Sequence, residues 1–179
     1  MNISTVTTAI KVGTFQLNSN GNKARLRVEW DQLNKNILRN DAGRVYILAS
    51  DGIIKKIGGS VSKGGIKSTM SFYESANCGH PSIRSFGIQQ LIYEEILLDR
   101  NVEIYMISSE QVSAPVKGLF GIEERMISAF KEMEEKCLDD YVKIEHQYPE
   151  WNYQESGKPW EQHIQEAHAR QLAESASRC

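Results

Sequence analysis

Apolar residues recur along the chain with two different periods, and the switches between them mark out the elements. Residues 14–17 and 24–28 read as short strands on either side of the turn-rich Asn18-Ser19-Asn20-Gly21-Asn22. Over residues 29–39, Trp30, Leu33 and Ile37 fall at helical spacing and predict a short helix, which Asn40-Asp41-Ala42-Gly43 breaks. Arg44-Val45-Tyr46-Ile47-Leu48-Ala49 is a β-branched and aromatic run, and Ile53-Ile54-Lys55-Lys56-Ile57 is another. Asp51-Gly52 between them is a strong hairpin signal, and Gly58-Gly59 ends the second strand. Residues 60–75 are polar and contain Gly64-Gly65, which predicts a loop followed by a helix near 69–74. Residues 86–99 form an amphipathic helix with Ile88, Leu91, Ile92, Ile96 and Leu98 toward a core. Residues 102–106 alternate as a strand. Residues 123–137 read as a second amphipathic helix whose stripe is Met126, Ile127, Phe130, Met133 and Cys137. The tail carries Trp151, Tyr153 and Trp160, then a polar helix opened by Pro159. Hairpin, helix, strand, helix implies an α/β (α+β) fold, a short β-sheet flanked by helices.

Length and composition narrow the class. A chain of 179 residues buries a proper core without staples, and 40% hydrophobic with 25% charged is ordinary for a globular domain. No apolar run approaches the roughly 18 residues of a membrane span. The N-terminus, MNISTVTTAIKVG, lacks a basic region followed by a long apolar one, so no secretion signal is expected. Three cysteines, odd in number and far apart, fit thiols in a reducing cytoplasm. The absence of a Cys-x-x-Cys pair argues against structural zinc, and the four histidines have no ligand spacing. The net charge of −2 hides an asymmetry: residues 1–70 hold 11 Lys/Arg against 4 Asp/Glu, and the remainder 10 against 19. A basic first half permits one face that grips phosphates, although scattered surface charge gives the same count.

Phosphodiester hydrolysis needs a water deprotonated and aimed, the charge on phosphorus neutralised and the leaving oxygen stabilised. Val45-Tyr46-Ile47 followed ten residues on by Lys56-Ile57-Gly58 resembles the paired signature of the GIY-YIG nuclease superfamily. Ile122-Glu123-Glu124-Arg125-Met126-Ile127 with Phe130 resembles the family's glutamate-bearing helix, and Pro149-Glu150-Trp151-Asn152 its closing element. The resemblance spans residues 43–152 and is greatest to the type II restriction endonuclease branch, where lysine replaces the second tyrosine, as Lys56 does; Asn77-Cys78-Gly79 also resembles that branch.

That resemblance implies a set of site residues. Tyr46 is the expected general base, its phenolate favoured by a nearby cation. Lys56 takes the second signature position and could act on the water directly. Glu123, with Glu124 as its rival, is the expected ligand of Mg²⁺ or Mn²⁺. The family's phosphate-binding arginine falls at Lys67, a point charge without arginine's fork, and Arg84 is the second candidate for that cation. Lys55, Lys63, Arg84 and Tyr73 are candidate DNA contacts, and Asn152 is a supporting residue. The plainer readings are a half-buried strand tyrosine, a solvated Lys55-Lys56 edge and helix-dipole charge at Glu123-Glu124.

The implied protein is a cytoplasmic, sequence-specific restriction endonuclease acting on double-stranded DNA as a homodimer. Residues 1–42 would form an N-terminal extension for dimer or DNA contacts, residues 43–152 the nuclease core and residues 153–179 a helical extension. A non-catalytic nucleic-acid-binding or protein-interaction module on the same fold is the alternative. One geometric condition follows. A plain two-residue turn at Asp51-Gly52 would pair Tyr46 with Ile57 and send Tyr46 and Lys56 to opposite faces. A shared site therefore predicts a three-residue loop, Ser50-Asp51-Gly52, with Gly52 left-handed.

Overall fold

The protein is described by a computed structural model covering residues 1–19, 24–33, 35–39, 42–109 and 111–176. Five antiparallel strands make the main sheet: β1 (Ile10–Leu17), β2 (Leu26–Trp30), β3 (Arg44–Ser50), β4 (Ile53–Ser60) and β5 (Val102–Ser108), in the order β2-β1-β5-β3-β4. Every residue of β3 is buried, which explains its unbroken apolar run: both faces are covered, so alternation would expose nothing useful. On one face Tyr46 and Leu48 join a core with α2 (Gly65–Glu74), α3 (Ile83–Leu97) and α6 (Gln162–Ala176). On the other, Val45, Ile47, Ile54 and Ile57 meet Leu138 and Tyr141 of α4 (Phe130–Glu145) and Ile3 of a short 3-10 turn. The result is the mixed sheet-and-helix fold that the hydrophobic pattern predicts.

The hairpin differs from expectation in an instructive way. Asp51 (φ 45°) and Gly52 (φ 79°) are both left-handed, which makes the tight two-residue turn that an Asp-Gly pair favours, not a three-residue loop. Ser50 pairs with Ile53 and Ala49 with Ile54, but Leu48 then pairs with Lys56 and Tyr46 with Gly58. The register shift leaves Lys55 as one extra residue, a β-bulge. That single insertion flips all later side chains of β4, so Lys56 stands opposite Leu48 on the Tyr46 face. The predicted shared face is present, and a bulge rather than the turn produces it.

Two helical readings give way to strands. Residues 29–30 finish β2, and the helix that follows is only α1 (Lys35–Arg39). Residues 122–128 form β7 (Ile122–Ser128), paired with β6 (Gln111–Lys117) in a separate two-stranded ribbon. Helix α4 begins only at Phe130. Met126 and Ile127 are therefore exposed rather than core. Residues 1–42, set apart above as an extension, supply β1 and β2 to the same sheet as β3–β5. Beyond Asn152 come a single turn α5 (Tyr153–Ser156) and α6, whose Ile164 is fully buried. Residues 20–22 and 40–41 of the two expected turns, and Cys179, lie outside the described residues. Among the described residues no helix is long and apolar enough to cross a membrane.

Candidate active site

Tyr46 lies in the middle of the sheet, and its hydroxyl shares a 2.7 Å hydrogen bond with the hydroxyl of Tyr73 on α2. The two rings meet edge-on at 6.2 Å. This pair forms the floor of a cleft whose walls include Gly59 and Ser60 of β4, Thr69 of α2 and Arg84 of α3. Glycine is required at the two positions closing β4. A Cβ at Gly58 would stand 2.5 Å from the Tyr46 hydroxyl, and one at Gly59 would overlap the Glu134 carboxylate. The glycines of the Lys56-Ile57-Gly58-Gly59 run thus make room for a phenol and a carboxylate.

Lys56 is only 2% exposed, yet among the described residues it makes no hydrogen bond or ion pair. Burial, then the Arg84 guanidinium, pull its ammonium down to about 8 from the usual lysine value, against the opposing pull of Glu155 and Glu134. Tyr46 moves the other way from the sequence expectation. Burial foremost, then its partner Tyr73, raises it well above the usual phenol value, and Arg84 only partly offsets this. Tyr73 is likewise raised by burial. At neutral pH the two tyrosines are a protonated hydrogen-bonding pair, whereas Lys56 has a neutral fraction.

The structure sorts the other candidates by whether their charges are already committed. Glu123 lies on β7, exposed, with its carboxylate 3.0 Å from the Arg125 guanidinium. It neither sits on a helix nor faces Tyr46; its neighbour Glu124 accepts a hydrogen bond from Ser113 on the same ribbon. Lys67 places its ammonium 5.2 Å above the Trp30 ring. Lys63 is exposed, and Lys55, the bulge residue, pairs with Glu150 at 2.6 Å. Asn152 is fully buried and clamps β4: its Oδ1 accepts the Ile57 N–H at 2.9 Å, and its Nδ2 donates to the Ile57 carbonyl at 2.8 Å. In contrast, Arg84 and Glu134 have no hydrogen bond or ion pair among the described residues, and both act electrostatically on Tyr46 and Lys56.

Glu134 and Glu155, which the sequence motifs do not mark, also act electrostatically on Lys56 and Tyr73. A readable signal existed for the first. Phe130, Glu134, Leu138 and Tyr141 fall on one helical face, so Glu134 is an acid inside an otherwise core-facing stripe of α4. Glu155, three residues past the clamp Asn152, carried no such mark. Among the described residues no group of three His, Cys, Asp or Glu forms a ready-made metal cage.

No protein-family description matches this chain, and no curated protein matches it. Solved structures do. The restriction endonuclease HPY188I in complex with product DNA aligns at a TM-score of 0.44 with 19% identity, covering 79% of this chain and 78% of that one. A glutamate-to-alanine mutant of bacteriophage T4 EndoII aligns at a TM-score of 0.52 with 16% identity, covering 85% of this chain and 98% of that one. The chain thus shares the fold of T4 EndoII over nearly all of that protein's length.

Proposed function

We propose that this chain is a metal-dependent endonuclease of double-stranded DNA, sequence-specific in the manner of a type II restriction enzyme. It would work in the cytoplasm as a homodimer with Mg²⁺ or Mn²⁺. One observation carries the reading: Arg84 lines the cleft floored by the Tyr46–Tyr73 pair, Lys56 stands on the Tyr46 face of the sheet, Glu134 acts electrostatically on Tyr46 and Lys56, and among the described residues none of these three charged side chains has a hydrogen bond or ion pair. Uncompensated charges at a buried locus cost stability, so a protein keeps them together for chemistry. The fold shared with a phage endonuclease supports the same reading. The restriction-type assignment rests on Lys56 standing at the second signature position.

The residues divide the work as follows. Lys56 accepts the proton of the attacking water; with its ammonium near 8, about a tenth is free base at pH 7. The Tyr46 and Tyr73 hydroxyls, kept protonated by burial, orient the water and a phosphate oxygen by hydrogen bonding. Arg84 supplies the forked cation that Lys67, stacked on Trp30, does not. Glu134 would hold the metal. Among the described residues its carboxylate has no partner, it lies against Gly59, and an oxygen ligand of that kind suits a hard cation. When bound, that cation supplies neutralising charge at the scissile phosphate and leaving oxygen. Asn152 fixes β4, and hence Lys56, from behind.

Supercoiled plasmid with Mg²⁺ tests the proposal. The parent should linearise it at fixed sites and sediment at twice its 20.3 kDa chain mass. Glu134→Ala and Lys56→Met should abolish cutting, and Tyr46→Phe should reduce it by about 10²-fold or more. Glu123→Ala should cut like the parent. Loss of cutting in Glu123→Ala with retention in Glu134→Ala would reverse the assignment of the carboxylate.

A further inference from the structure

Phe72 is an aromatic ring with no place in the core. Helix α2 turns Ile66, Thr69, Met70 and Tyr73 inward, and Phe72, one residue before Tyr73, is left 62% exposed. A single exposed apolar side chain needs no explanation by itself. What marks this one is its company. It lines the Tyr46–Tyr73 cleft together with Ser60, Thr69, Arg84 and Ser85. Those neighbours are hydroxyls and a guanidinium, the groups that bind phosphate oxygens. Among the described residues the Phe72 ring stacks on no other ring and lies under no cation. A bare apolar plate thus stands beside polar groups suited to an anion. A nucleotide presents those two surfaces together: a charged phosphate, and a flat base whose face an aromatic ring covers well whatever the base.

We propose that Phe72 is a wedge for the nucleobase next to the phosphate that Arg84 holds. Its ring enters the base stack beside the bond to be cut and packs on the face of that base, as apolar side chains do at kinked base steps. The wedge opens the duplex locally, so the phosphate reaches the cleft floor, where Tyr46 and Tyr73 are almost wholly buried, instead of stopping at the rim. Steps that unstack at small cost, such as pyrimidine–purine, are then favoured places to cut. The proposal deepens the nuclease reading and rests on it.

The test uses the full-length protein, with Ca²⁺ for binding and Mg²⁺ for cutting. Filter binding of labelled plasmid fragments gives Kd, and a short duplex carrying the mapped cut site gives kcat and KM. Phe72→Ala should raise Kd and KM by about tenfold, within the usual cost of removing a ring that stacks on a base, with kcat held. Its melting midpoint should match the parent, because the ring is outside the core. Phe72→Trp, which keeps a flat ring, should bind like the parent. A mismatch at the flanking base pair removes most of the unstacking cost, so it should recover the loss in Phe72→Ala while changing the parent little. Parental binding and cutting by Phe72→Ala, or a Phe72→Trp as weak as Phe72→Ala, overturns the proposal. So does weakened binding that the mismatch leaves unrelieved, which puts the ring on the sugar. A parent that cuts nothing yet binds through the ring, with Phe72→Trp binding and Phe72→Ala not, supports the base contact and sinks the nuclease reading. A parent that neither binds nor cuts sinks both.

Discussion

At position 59 a side chain has no space to occupy. A Cβ there would overlap the Glu134 carboxylate and stand 3.0 Å from the Phe130 ring. Gly59→Ala should therefore displace Glu134 while leaving the sheet paired. We expect plasmid cleavage to fall by about a hundredfold, the usual cost of misplacing a catalytic group by an ångström, with thermal stability little changed. Cleavage at the parent rate would show that Glu134 does not work from its present position. The same scale exposes the limits of motif reading. Tyr46 and Lys56 were legible because they sit in a strong local pattern. Glu134 carries only a faint local mark, an acid on the core-facing stripe of α4; its place against Gly59 is set by how α4 packs on β4. Glu123 stands out in the sequence by spacing, and in the fold it lies on an exposed ribbon paired with Arg125.

The elements that matter most are β4 and the clamp behind it. The bulge at Lys55 turns Lys56 toward Tyr46, and the buried Asn152 amide completes both backbone groups of Ile57 immediately beyond. Asn152→Ala would leave a buried N–H and a buried C=O unsatisfied. It should destabilise the fold by on the order of 3 kcal/mol, a midpoint drop of roughly 6–12 °C for a domain of this size, readable by calorimetry. A drop below about 2 °C would mean that water replaces the amide and that Asn152 is not what holds β4. Strand and helix were told apart well where the chain is long and periodic, as in α3 and β3. Over residues 123–128 a strand reads as the start of a helix, because Met126 and Ile127 continue the helical stripe of Phe130, Met133 and Cys137 in α4. The decisive signal was the Gly118–Gly121 turn, closed by a 2.7 Å bond from Gly118 N–H to the Gly121 carbonyl, which folds β7 back on β6.

For the whole molecule, the buried lysine predicts a measurable conflict between stability and activity. Unfolded, Lys56 holds its proton up to about 10.5; folded, it releases it near 8. Between those values the unfolded chain binds more protons, so this group's contribution makes stability rise with pH across that window. Below pH 8 its cost is fully present and amounts to on the order of 3 kcal/mol. Lys56→Met, which keeps the volume and removes the charge, should raise the unfolding free energy by about that much at pH 7 while abolishing cutting. The difference from the parent should close as pH rises from 8 toward 10.5. A denaturant titration series checks both; a variant less stable than the parent at pH 7 would show that the ammonium is compensated after all. The buried tyrosines contribute with the opposite sign above pH 10, since the unfolded phenols ionise first.

The amino-acid sequence by itself determined the elements whose cause is local: the fully buried β3, the Asp51-Gly52 turn, the amphipathic α3, and the glycines that close β4. It also placed Tyr46 and Lys56 at the right separation to be considered together. Only the tertiary structure decided that they share a face, because a one-residue bulge inverts the facing of a strand and leaves almost no trace in hydrophobic pattern. Only packing brought the charges of Glu134 and Arg84 to bear on Tyr46 and Lys56, while Glu123 pairs with Arg125 and Lys67 lies over Trp30. Those choices depend on which charges find partners across distant segments, and a chain read in order does not show where its ends of contact meet.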